Sequence, residues 1–231
     1  MDIQIKDLSH RFGDKVIFEH YDLTLKSGGL YGLTAPSGRG KTTLLRIILG
    51  LLKPDDGTVT PGVRYSAVFQ TDRLLPGRSA VDQLLFVRGS RDYAVGADAH
   101  TGPSSRALLA DEGGCGHPPL RKNAICSWSV GGKKRDREEA SRFLAGLLPE
   151  NSLNQPIGEL SGGMQRRVAI ARALWADSDC ILMDEPFTGL DEATLRQTAD
   201  FILANRRGRT LLLSTHQKEL LSEYPFTWLT L

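Results

Sequence analysis

Leu30-Tyr31-Gly32-Leu33, followed after Thr34 by Ala35-Pro36-Ser37-Gly38-Arg39-Gly40-Lys41-Thr42-Thr43 and then by the apolar run Leu44 to Leu52, decides the reading of this chain. A strand, a glycine loop and a helix in that order make a cradle for phosphate. Gly38 and Gly40 let the backbone curl so that successive N–H groups face anionic oxygens, and the N-terminus of the following helix adds about half a positive charge. Lys41 then reaches the β and γ phosphates of a nucleoside triphosphate, and the Thr42 hydroxyl is placed to ligate Mg²⁺. The motif G-x-x-x-x-G-K-[ST] asks for glycine where this chain has Ala35. A residue before proline is held extended at negative φ, so Pro36 makes alanine acceptable there.

Downstream, Cys180-Ile181-Leu182-Met183-Asp184-Glu185 is an apolar strand that ends in two adjacent carboxylates. Two solvated acids at a strand end are an ordinary sight. Paired with a phosphate loop they have a use: Asp184 holds the Mg²⁺ shell, and Glu185 orients and deprotonates an attacking water.

Strand-like runs recur at 3–5, 16–25, 29–33, 65–69, 180–183, 210–214 and 226–231. Between them lie helical patterns, such as Leu195, Thr198, Ala199, Ile202 and Leu203 on one face, and Ala140, Phe143, Leu144, Leu147 and Leu148 on another. Buried strands alternating with amphipathic helices predict an α/β fold with a mixed, largely parallel sheet. The 231 residues suffice for one large domain, and 40% hydrophobic with 24% charged residues is ordinary globular composition, which sets aside disorder and fibrous classes. A net charge of +2 is too balanced to argue for nucleic acid as a partner. Cys115, Cys126 and Cys180 form no C-x-x-C pair and leave one over, which fits a reducing compartment. The N-terminus alternates like a strand and reads as no signal peptide, and no apolar run approaches the roughly 20 residues of a membrane span.

Leu160-Ser161-Gly162-Gly163-Met164-Gln165-Arg166-Arg167 adds a second anion-binding feature, a serine and two glycines opening the helix Gln165 to Ala176. With this octet the chain resembles the ABC ATPase family, whose LSGGQ-type motif it is similar to, over residues 1 to about 88 and 137 to 231. The resemblance implies a P-loop NTPase core with an N-terminal antiparallel β region (1–82 and 161–231) and a helical subdomain (83–160), all within one domain. It implies ATP and Mg²⁺ as cofactors and a head-to-tail dimer, with itself or a paralogue, in which Ser161, Gly162, Gly163, Gln165 and Asp191 reach the partner's nucleotide. Asp191 closes Thr188-Gly189-Leu190-Asp191, which matches the family's D-loop.

By the same resemblance, Gln70 in Val68-Phe69-Gln70-Thr71-Asp72 joins Thr42 and Asp184 around the metal as the Q-loop glutamine. His216, at the end of the run Thr210 to Ser214, contacts the γ-phosphate beside Glu185 and Lys41. Phe12 stacks on adenine, with core packing as the other use of such a ring. The phrases around Gln70 and Asp184 look most like ATPase subunits of nitrate, sulfonate and taurine type importers. Those work at the cytoplasmic face of a prokaryotic membrane with separate permeases and a solute-binding protein. The alternatives are a soluble ABC protein without transport, which often carries two cassettes where this chain has one set of motifs, and an ATP-binding interaction protein that is uncoupled.

One stretch breaks the pattern. From Gly89 to Gly132 neither period survives, and 8 of the 24 glycines fall there. Cys115, His117, Cys126 and His100 match no zinc frame. The loss of periodicity at Gly89 and its return near Glu138 point to an out-of-frame or otherwise altered stretch, with an inserted loop as the plain alternative.

Overall fold

The computed structural model of the protein describes residues 1–36, 38–88 and 134–231. The irregular stretch 89–132, with its cysteines and histidines, lies outside the described residues, as does Ser37. Its proposed frame change is therefore a matter for the encoding DNA.

Five apolar segments form a wholly parallel sheet in the order β5-β6-β7-β3-β8, where β3 is Leu30–Thr34, β5 Tyr65–Val68, β6 Cys180–Asp184, β7 Thr210–Ser214 and β8 Thr227–Thr230. Each of the middle strands β6 and β7 is buried along its whole length. Alternation splits their side chains between two layers: Cys180, Leu182 and Leu212 face one core cluster, whereas Ile181, Met183, Leu211 and Leu213 face the other. That is why these strands read as continuous apolar runs. Burial pushes the Cys180 thiol up to about 12, so this cysteine is a packing residue.

A separate antiparallel sheet, β2-β1-β4, consists of β1 Ile3–Phe12, β2 Lys15–Leu25 and β4 Asp56–Val59. The antiparallel pairings form the N-terminal β region that the resemblance implies, beside the parallel sheet of the core. β1 also runs seven residues beyond the expected Ile5. Its register shifts near Asp7, which takes φ 53°, and the bulge breaks the alternation by which a strand is recognised.

Helix α1 (Lys41–Ile48) packs Leu44, Leu45, Ile47 and Ile48 between the two sheets. It starts three residues before the predicted Leu44, because Lys41 to Thr43 form its first turn. It stops before the predicted Leu52, because Gly50 turns left-handed at φ 69° and Leu51 N–H closes back on the Arg46 carbonyl. On the other face lie α4 (Gly162–Trp175) and α5 (Glu192–Asn205).

A third cluster joins α2 (Ala80–Arg88), α3 (Lys134–Leu144) and the outer face of α4 through Val81, Leu84, Ala140, Leu144, Val168 and Trp175. Arg137 donates to Asp82 at 2.8 Å across the α2–α3 pair. Burial alone would raise the Asp82 carboxyl, but the bonds from Arg137 and Ser79 outweigh it and hold the carboxyl below the usual range. No helix among the described residues is long and apolar enough to cross a membrane.

Candidate nucleotide site

The predicted phosphate, carboxylate and metal residues lie at the carboxyl ends of β3, β5, β6 and β7, with Lys41 to Thr43 in the first turn of α1, at the edge where open parallel sheets bind ligands. Gly38 and Gly40 take φ 76° and 102°. Gly40 has a second constraint: a Cβ there would lie 2.6 Å from Ile17 and 2.9 Å from Phe18 of β2. No side chain caps α1 and no acid sits in its first turn, so its leading N–H groups remain available to an anion. Ala35 keeps a negative φ, as expected before Pro36. Pro36 and Arg39 are exposed, and Thr43 is half-buried in the first turn of the helix.

The Lys41 ammonium donates to the Ala35 carbonyl at 2.8 Å and lies 3.8 Å from Glu185 Oε1 and 3.1 Å from His216 Nε2. His216 Nε2 is also 3.1 Å from Glu185 Oε1. One ring nitrogen either accepts from the ammonium or donates to the carboxylate, so a proton shift on His216 changes which neighbour it serves. Thr42 Oγ1 donates to Asp184 Oδ2 at 2.7 Å, and Ser214 Oγ donates to Asp184 Oδ1 at 2.6 Å. Ser214 is opposite Asp184 in the sheet register, which brings the two together. Sequence reading gave Ser214 no role of its own.

Two adjacent hard oxygens, from Thr42 and Asp184, are a donor set that fits Mg²⁺. Magnesium ordinarily takes one or two carboxylates and completes its shell with phosphate and water. Gln70 is exposed, two residues beyond β5 on the same edge.

Glu185 turns the chain away from β6 in the left-handed region, at φ 50°. For a non-glycine residue this costs about 1–3 kcal/mol and persists only where the surroundings hold it. Here its N–H donates to both Ser214 O (3.2 Å) and Ser214 Oγ (3.0 Å). Its carbonyl accepts from Arg166 Nη2 at 2.9 Å and from the Thr188 N–H at 3.3 Å.

Phe12 is 52% exposed, and its ring meets the buried His10 edge-on at 4.7 Å between centroids. An open face is therefore left for stacking. Lys15, which the sequence reading passed over, donates from β2 to the Gly38 carbonyl at 3.4 Å.

The second anion-binding feature opens α4. This helix begins at Gly162 and not at the predicted Gln165, with Ser161 as N-cap accepting from Met164 N–H at 3.3 Å. The side-chain amide of Gln165 donates to Ile157 O (3.1 Å) and Leu160 O (2.9 Å) of its own chain. Asp191 likewise caps α5, and the Thr194 N–H and hydroxyl hold its carboxyl below the usual range. A Cβ at Gly162 would meet nothing within 4 Å. Gly162 is the first residue of α4, and no contact among the described residues requires a glycine there.

A sequence profile of the family described as ABC transporter matches residues 18–188. Among relatives, the Nod factor export ATP-binding protein I of Burkholderia orbicola is 33% identical over 94% of this chain and 63% of its own length. The aliphatic sulfonates import ATP-binding protein of Rhodococcus jostii is 33% identical over 94% of this chain and 74% of its own, and the zinc transport system ATP-binding protein of Treponema pallidum 31% over 96% and 75%. This chain thus spans less than two thirds of the Nod factor relative. Among solved structures, an ATP-binding cassette of an ABC transporter in its ADP conformation superposes with a TM-score of 0.73 at 22% identity, covering 100% of this chain and 87% of that one. A dimeric cassette in a post-hydrolysis state, bound to ADP and Pi, gives 0.67 at 25% identity, covering 94% and 89%.

Proposed function

This chain belongs to the ABC transporter family, and from that premise we propose that it is the ATP-hydrolysing subunit of a transporter, closing head to tail with a second copy or a paralogue on two Mg-ATP. The observation that carries this reading is the convergence at one sheet edge of two contacting sets, Lys41 with Glu185 and His216, and Thr42 with Asp184.

In this reading the loop 35–43, Ser37 included, wraps the phosphates. Lys41 neutralises the β and γ oxygens, and Phe12 stacks on the base. Thr42, Asp184 and Gln70 hold magnesium, which when bound draws charge from the phosphoryl oxygens. Glu185 aligns a water behind the γ-phosphate and takes its proton, with Lys41 and His216 beside the charge that develops. Ser161, Gly162, Gly163, Gln165 and Asp191 complete the partner's site. The glycine that the free chain does not need supports this, since a bare backbone lets phosphate approach the start of α4.

Residues 83–160 serve as the helical subdomain that meets a permease. Import with a solute-binding protein is the direction favoured by likeness to the sulfonate protein. Likeness to the Nod factor protein favours export. Uptake and efflux of labelled solute in cells carrying this gene together with a permease its product associates with separate the two.

The reading is tested with Gly162→Ala. Its thermal midpoint is expected to hold, because a Cβ at this first helical position has open space, while phosphate release falls roughly tenfold as the partner's phosphates meet a methyl group. Specific activity of the unsubstituted chain should rise with protein concentration as dimers form. Activity that is flat with concentration and indifferent to Gly162→Ala would sink the shared-site dimer.

A further inference from the structure

Arg166 belongs to no catalytic set, yet its guanidinium holds three separate pieces of the site together. It projects inward from the second turn of α4 and its side chain is only 5% exposed. Nη1 donates to the Phe69 carbonyl at 2.5 Å and to Asp72 Oδ1 at 2.6 Å, on either side of Gln70. Nη2 donates to the carbonyl of Glu185 at 2.9 Å. Six residues along the same helix, Arg172 grips the Asp72 and Arg73 carbonyls at 3.0 and 2.9 Å, so the loop after Gln70 is fastened to α4 at both ends.

The bond to Glu185 bears on chemistry. Glu185 sits at φ 50°, a conformation a glutamate leaves unless it is restrained. Its N–H side is fixed by Ser214, and its carbonyl side, among the described residues, by Arg166 and the longer contact from Thr188 N–H. Releasing the carbonyl lets the peptide relax toward negative φ, which rotates Cα and swings the carboxylate away from Lys41 and His216.

We propose that Arg166 is a positioning residue for the general base: it pins Glu185 in its left-handed conformation and ties it to the second turn of α4. The proposal rests on the ATPase reading above and adds to it the element that links the motif at Ser161 to the general base. A planar fork with several donors is needed to serve three acceptors in different directions, and a lysine ammonium at the end of a flexible stem does not replace it.

The test is Arg166→Lys, which keeps the charge beside Asp72, with Arg166→Gln as the second variant. Single-turnover hydrolysis and affinity for a fluorescent ATP analogue are measured in the Glu185 chain and again in the Glu185→Gln chain. The expected result is a roughly 10- to 100-fold loss of turnover, the scale of a displaced catalytic group, with nucleotide affinity unchanged. In the Glu185→Gln background no further loss is expected, because the group being positioned is already disabled.

Turnover like that of the unsubstituted chain, an equal loss in both backgrounds, or affinity falling in step with turnover would each overturn the proposal while leaving the ATPase reading in place. Failure of both variants to fold would overturn it too, by making Arg166 a stability residue. An unsubstituted chain that does not hydrolyse ATP would overturn the underlying reading instead.

Discussion

Glu185→Gln is expected to lower the rate of ATP hydrolysis at least about 100-fold, the lower end of what a positioned general base contributes, while leaving nucleotide affinity intact. The amide keeps the shape of the carboxylate and still accepts a hydrogen bond from the His216 backbone N–H, whose contact to Oε2 is 3.3 Å. What it loses is the ability to take a proton from water. It also removes a negative charge 3.8 Å from Lys41, at a place where a γ-phosphate would bring more negative charge. Repulsion within the ATP-loaded state falls, so the closed dimer should accumulate. Light scattering with and without ATP, beside a phosphate-release assay, reads both effects. Normal turnover, or a protein that stays monomeric with ATP, would remove Glu185 from its assigned role.

Lys41→Ala is expected to act differently, weakening binding as well as chemistry. The Lys41 side chain is 8% exposed and lies between the Ala35 carbonyl, Glu185 and His216. Alanine leaves the triphosphate without its nearest cation and Glu185 without its ion-pair partner. Loss of one preorganised stabilising group costs roughly 100- to 1,000-fold in kcat, and here ATP affinity should fall as well. Titration with a fluorescent nucleotide distinguishes the two variants, since Glu185→Gln retains tight binding and Lys41→Ala does not. Undiminished binding by Lys41→Ala would place the phosphates elsewhere.

The features that could be read from sequence are those whose cause is local. Strands β3, β6 and β7 are buried on both faces and read as apolar runs, and the loop after β3 carries its glycines, lysine and threonine in one stretch. Strand β4, Asp56–Val59, was not visible, because four residues that include an aspartate, a glycine and a threonine have no period to detect. Helices α1 and α4 both start three residues before their apolar periodicity does, for a related reason. Hydrophobic spacing marks the packed face, whereas the first turns of α1 and α4 are made of Lys41 to Thr43 and of Gly162 to Met164, residues set by what lies beyond the helix end.

Long-range partners stayed hidden. Arg166 meets Phe69 across 97 positions and Asp72 across 94, and nothing in the local pattern distinguishes it from Arg167 beside it. Ser214 acquires its hold on Asp184 only through strand pairing, and Lys15 its reach to Gly38 only because β2 lies over the loop. Each would need knowledge of sheet order before it could be inferred.

The packing of α2 against α3, with the Arg137–Asp82 bond across it, has a bearing on how this gene tolerates change. Val81, Leu84, Ala140 and Leu144 make these two helices one unit with the outer face of α4, so a substitution among them is felt first in this unit and not at the sheet edge that carries Lys41, Asp184 and Glu185.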